Sequence, residues 1–165
     1  MVKEIPLGRS ALVTIVDDDD YQWLMQWKWR KSTSGYVIRT EGPHSNLKYI
    51  SIHRLINKTP EGFQTDHING NKLDNRKANL RSCTSVQNKW NTGSEIGSSS
   101  LYKGVSKIKN SKKWLASIKH NNKIIKLGSF YSEEIAALAY NDAAIKLFGD
   151  FARLNVIKTS KELMG

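Results

Sequence analysis

At 165 residues the chain is long enough for one ordinary domain or two small ones. Its 26 Lys and Arg against 15 Asp and Glu leave a net charge of +11, an excess that favours a polyanionic partner, nucleic acid being the commonest. No apolar run approaches the roughly 20 residues of a membrane span, and the single cysteine, Cys83, excludes a disulfide framework and a Cys-cluster zinc site.

Met1 to Pro6 has no hydrophobic leader, so a soluble, cytoplasmic protein is expected. The β-branched run Ala11–Val16 predicts a strand. Asp17–Asp20 interrupts it. Four adjacent carboxylates repel one another and suit a helix N-terminus better than a metal cluster, and Tyr21–Trp27 then spaces its apolar residues as a helix does. Tyr36–Ile38 and Tyr49–Ile52 predict further strands, separated by the turn-rich Glu41–Asn46.

From Ser51 to Asn91 the chain is dense in His, Asp and Asn, which are poor fillers of regular structure. A short strand ending at Asp66-His67 leads into a polar loop with a turn at Asn69-Gly70. A second strand near Asn79-Leu80-Arg81 returns, and Thr84 or Ser85 caps a helix carrying Val86–Trp90. Strand, long loop, strand and helix bring Asp66, His67, Asn79 and Asn88 within reach of one another.

Those residue types suit phosphodiester hydrolysis. A neutral imidazole can take a proton from water at physiological pH. A carboxylate and an amide oxygen suit a hard cation, and an amide carbonyl accepting from the imidazole N–H fixes its tautomer. With the flanking Ile52–Ile56 and Asp66–Asn75, the pattern resembles the HNH, or ββα-metal, nuclease motif in its phage-type homing-endonuclease branch. The resemblance implies that Asp66 is a metal ligand, His67 the general base, Asn79 the residue orienting His67, and Asn88 the second metal ligand. Many HNH proteins have His where this chain has Asn88, a departure that points to Mg²⁺ or Mn²⁺ rather than Zn²⁺. His53 could approach the site from the preceding segment, but packing or a structural hydrogen bond is the expectation. Arg54, Arg81 and Lys89 are candidates for DNA contact.

Gly93–Ser100 has the composition of a flexible linker, which predicts a domain over 1–93, a linker over 94–100, a second domain over 101–155 and a tail over 156–165. Within the second domain, Tyr102–Ile108 leads to a turn at Asn110-Ser111. Lys113–His120 alternates, with Trp114, Ala116 and Ile118 on one face and Leu115, Ser117 and Lys119 on the other. Asn121-Asn122 is a hairpin turn, Lys123–Ser129 returns, and Ser132 caps a helix that Gly149 stops. Tyr102–Val105, Trp114–Lys119, Leu127–Phe130, Glu133–Asn141 and Phe151–Asn155 resemble the plant ethylene-response-factor (Apetala-two type) DNA-binding domain. That resemblance implies a DNA face comprising Lys103, Ser106, Ser117, Lys119 and Lys126, with Lys107 beside it. The plant family uses mainly Arg and Trp there, so its sequence preference does not transfer.

The expected fold class is α+β: a ββα-metal core preceded by short strands, plus a C-terminal three-stranded antiparallel sheet backed by one helix. The expected function is a site-specific, Mg²⁺-dependent endonuclease acting on double-stranded DNA as a monomer. The resemblance adds a homing enzyme in a phage-infected host. A DNA-binding regulator with an inert nuclease segment is the alternative, and an RNA-binding splicing factor is disfavoured by the few aromatics on the sheet face.

Overall fold

The computed structural model describes residues 1–8, 10–94 and 97–157. Among them the chain forms four small antiparallel sheets and four α-helices, and it divides into two compact units between Asn88 and Lys89.

In the first unit β1 (Val2–Pro6) pairs with β2 (Val13–Asp17), and the acidic run then forms the first turn of α1 (Asp18–Leu24). The carboxylates meet the positive end of the helix, as expected. Capping itself is absent: Asp17 occupies the N-cap position, but its Oδ2 accepts from the Lys77 amide at 2.7 Å, and Asp20 pairs with Lys77 Nζ at 3.0 Å. The second sheet consists of β3 (Arg30–Lys31), β4 (Val37–Glu41) and β5 (Lys48–Ser51).

The strand expected over Tyr49–Ile52 stops at Ser51, and Ile52 opens α2 (Ile52–Ile56), a helix the alternating pattern concealed. Ile52 and Ile56 lie on one helical face and join Ile5, Leu7, Val16, Leu24, Trp29, Val37 and Leu80 in the core. Most of that core comes from residues before position 50. The N-terminal stretch therefore completes this unit instead of forming an appendage to it.

β6 (Gln64–His67) pairs with β7 (Leu80–Cys83), placing His67 opposite Leu80. A one-turn 3-10 helix (Lys77–Asn79) precedes β7, and α3 (Ser85–Trp90) follows it, capped by Thr84 Oγ1 accepting from the Gln87 amide at 3.2 Å.

The second unit builds a sheet from β8 (Val105–Lys107), β9 (Trp114–His120) and β10 (Lys123–Phe130), with β9 central. Asn121 and Asn122 both take positive φ, 48° and 60°, which a two-residue hairpin turn requires. Against the sheet lies α4 (Glu133–Phe148), whose N-cap Ser132 accepts from the Ile135 amide. Ala136, Ala137, Tyr140, Ala144 and Phe148 are the buried stripe; three alanines allow the helix to lie close to Val105, Ala116 and Ile118. Part of the expected linker is tied into this unit: Ser100 is buried, accepts from the Tyr102 amide at 3.0 Å and donates to Glu133, while Ser99 Oγ accepts from the Lys107 amide at 2.9 Å. Residues 95–96 of that linker and 158–165 of the expected tail lie outside the described residues. No described helix is long and apolar enough to cross a membrane.

Candidate active site

The Asx-rich loop between β6 and β7 is held by its own side chains. Asn69 Oδ1 accepts from the Asn71 amide and Asn71 Oδ1 from the Leu73 amide, two successive Asx turns at 2.8 and 3.0 Å. Gly70, with φ 76°, supplies the left-handed residue the turn needs. Asp74 is buried, accepts from Asn69 Nδ2, and forms a two-point pair with Arg76 at 2.7 Å for each bond, which holds its carboxyl below the usual range.

β2 holds the loop from the other side. The Ile15 amide donates to Leu73 O at 2.9 Å, and the Asn75 amide donates to Ile15 O at 2.8 Å. These bonds carry Asn75 inward, where it is fully buried. Its Nδ2 donates to Thr14 Oγ1 at 2.8 Å and to Lys72 O at 3.2 Å, and the Thr14 hydroxyl donates onward to Leu73 O at 2.8 Å. With both donors committed, Asn75 Oδ1 can only accept. It stands 3.1 Å from His67 Nε2. The proton of the neutral imidazole therefore belongs on Nε2, and the basic lone pair on Nδ1.

The side chain that meets the His67 ring is therefore that of Asn75, where Asn79 was expected. Asn79 Oδ1 instead accepts from the Asn69 amide at 3.0 Å, and its Nδ2 donates to Asn69 Oδ1 and to Asp74 O at 3.0 and 2.8 Å. Asn79 pins the loop. Its backbone meets the residue after His67, the Ile68 amide donating to Asn79 O at 2.9 Å. Burial pushes the pKa of His67 down, against the raising effects of the Asn75 hydrogen bond, Asp66 and Asp74, which favours the neutral form that a base requires.

Asp66 precedes His67 on β6 and is buried; its Oδ2 takes two bonds from Arg81, at 2.9 Å from Nε and 2.7 Å from Nη2. Asn88 on α3 donates through Nδ2 to Gln64 Oε1 at 2.7 Å, so its amide is oriented from β6. A carboxylate and an amide carbonyl are hard oxygen donors, and among the described residues no cluster of three His, Cys, Asp or Glu offers a softer or fuller cage. That donor chemistry fits a cation such as Mg²⁺, which keeps several waters and few protein ligands. Nearby, the rings of Tyr36, His53 and His67 cluster, Tyr36 tilted against both imidazoles and the two imidazoles meeting edge to face. Arg54 is exposed and donates to Phe63 O at 2.8 Å, and Lys89 is exposed.

In the second unit, register alone sorts the basic face. Ser106 pairs with Leu115, Ser117 with Lys126, and Lys119 with Ile124, so these residues share the face turned away from Ala116 and Ile118. Lys119, Ile124 and Lys126 are exposed. Lys107 has the opposite parity, with its ammonium 4.4 Å from the Trp114 ring centre. Lys103 is differently placed: its Nζ donates to Trp90 O at 2.6 Å, and burial, with Arg153 adding repulsion, brings its pKa down to about 8.

Comparison with known proteins adds independent information. Residues 58–89 match a family model described as HNH endonuclease, a span containing the loop and all four residues Asp66, His67, Asn79 and Asn88. The chain is 34% identical over 158 residues to an uncharacterized HNH endonuclease of Acanthamoeba polyphaga mimivirus, covering 92% of this chain and 79% of that one. It is 32% identical over 107 residues to Protein 3.8 of Escherichia phage T7, covering 64% of this chain and 88% of the phage protein. A shorter match, 47% identical over 57 residues, is to an ethylene-responsive transcription factor of Arabidopsis thaliana and covers 33% of this chain and 31% of the plant protein.

Proposed function

The chain belongs to the HNH endonuclease family, and from that premise we propose that it is a divalent-metal-dependent endonuclease that cuts double-stranded DNA with His67 as general base. The observation that carries this reading is the fixed amide of Asn75, whose oxygen assigns the His67 proton to Nε2 and leaves Nδ1 as the basic nitrogen. In the reaction a water oxygen bonds to phosphorus while His67 takes its proton, and the bond from phosphorus to the 3′ oxygen breaks, the 3′ oxygen leaving with the electron pair and taking a proton from solvent water. Asp66 and Asn88 would hold the cation, which when bound supplies positive charge to the phosphate oxygens and the departing 3′ oxygen. Mg²⁺ or Mn²⁺ suits those donors.

The basic sheet of the second unit is proposed to supply DNA affinity and site choice. Lys119 and Lys126 would meet phosphates, with Ser117 directly across from Lys126 and Ser106 across from Leu115 on the same face available to the groove. The limited match to a plant transcription factor supports this role for the module, and the phage-type motif supports a homing enzyme. One site per chain predicts nicking by a monomer.

The Asp66–Arg81 pair favours a second reading, a DNA-binding regulator in which Arg81 rather than a cation faces that carboxylate. Incubation of supercoiled plasmid pools carrying genomic inserts with Mg²⁺ or with EDTA separates the two. Metal-dependent relaxation supports the nuclease; DNA that shifts in a gel but stays intact supports the regulator.

A further inference from the structure

The nuclease unit buries a second imidazole that the proposed reaction does not use. His53 lies on α2, is 7% exposed, and its ring centre is 5.2 Å from that of His67 with the planes 62° apart. Tyr36 lies 4.9 Å from His53 and 6.0 Å from His67, and Lys72 Nζ lies 4.2 Å from the centre of the Tyr36 ring. Burial first, then the neighbouring His67, Arg54 and Lys72, drives the His53 pKa down to about 3, so this ring is neutral at any physiological pH.

A neutral imidazole still has two polar nitrogens, and His53 Nδ1 is buried with no hydrogen-bond partner among the described residues. Leaving such an atom unsatisfied costs the full desolvation penalty of the group. A phenylalanine would fill a similar volume against Tyr36 and His67 without that cost. The nitrogen is therefore unexplained by packing, and it sits in the ring that contacts the proposed base edge to face. A water molecule is the smallest partner able to satisfy it, and a buried water usually bridges two or more polar groups.

We propose that His53 is a positioning residue of the nuclease centre, its Nδ1 holding by one hydrogen bond an ordered water beside His67. The inference rests on the nuclease reading above. Its chemistry is modest: the ring carries no charge, takes no proton, and acts by fixing where water stands next to the base. Edge-to-face contact with His67 adds a second restraint by limiting rotation of the base ring.

Three full-length variants test this in single-turnover cleavage of supercoiled DNA at saturating enzyme with Mg²⁺. His53→Asn places a polar atom two bonds from Cβ, where Nδ1 stands. His53→Gln places it one bond farther out, and His53→Phe keeps the ring but has no polar atom. The Asn variant is expected within about threefold of wild type, and the Gln and Phe variants about tenfold or more below it, with DNA affinity unchanged. A Phe variant cleaving at the wild-type rate would overturn the proposal, as would equal losses in all three. Should the Phe variant fail to fold, the Asn and Gln pair decides, equal rates counting against the proposal. Wild-type protein that cuts no DNA with any metal would overturn the nuclease reading and this one with it; an active wild type indifferent to position 53 overturns this one alone.

Discussion

His67 Nε2 lies 3.1 Å from Asn75 Oδ1, and of the two partners it is the amide that cannot turn. Thr14 and Lys72 hold its nitrogen, so the ring of His67 is set by a residue eight positions downstream and by a strand far upstream. Asn75→Ala removes the oxygen. Cleavage is expected to fall about 10- to 100-fold while DNA affinity stays within error, the usual effect of losing the partner that orients a functional histidine. Single-turnover rates beside gel-shift titrations check this.

Thr14→Val tests the same network one step farther out. The substitution conserves shape in a fully buried position but leaves Asn75 Nδ2 without its hydroxyl acceptor. A stability loss of about 1–3 kcal/mol is expected in urea unfolding, together with slower cleavage. Unchanged stability would show that Thr14 does not hold the amide.

How much of this was legible beforehand depends on the range of each interaction. Asp66, His67, Asn79 and Asn88 stand in a recognisable local pattern, and their placement on β6, before β7 and on α3 follows from it. Asn75 was not legible. It is one of several Asn and Asp residues in the loop, and what turns it inward is Thr14, separated by 61 positions. The C-terminal module is local throughout: alternation along β9, the Asn121-Asn122 turn and the Ser132 cap each need only neighbouring residues. The helix Ile52–Ile56 was hidden because its isoleucines continue the alternation of the preceding strand.

Buried His53 makes stability depend on pH. Its pKa falls from 6.5 to about 3 on folding, so across that window the unfolded chain binds the extra proton. Its contribution is fully present above 6.5 and is lost as pH falls toward 3, with a slope approaching about 1.4 kcal/mol per pH unit. Urea unfolding between about pH 7 and pH 5 should show wild type losing more stability than His53→Phe. Parallel curves would contradict the buried neutral ring.

Lysines of the second unit divide into two kinds. Lys119→Ala and Lys126→Ala are each expected to weaken DNA binding and to reduce the salt slope by about 1. Lys103→Met should instead lower stability with little change in slope, because its ammonium is bound to Trp90 O. Affinities measured across a salt series distinguish the two.

Gly104 has no substitute in this fold. Its φ is 74°, and an added Cβ would stand 2.1 Å from Tyr140 Cδ2 and 2.6 Å from Ser117 O. Gly104→Ala should destabilise the second unit by more than about 2 kcal/mol, read as a lowered unfolding midpoint in denaturant.

The central claim, that His67 is the base of a metal-dependent nuclease, is tested most directly by nicking of supercoiled DNA with Mg²⁺ by wild type, His67→Ala and Asp66→Ala. Wild type should nick with Mg²⁺ and not with EDTA, while both variants bind the same DNA and leave it about a thousandfold less cut. Nicking by His67→Ala at the wild-type rate would contradict the account.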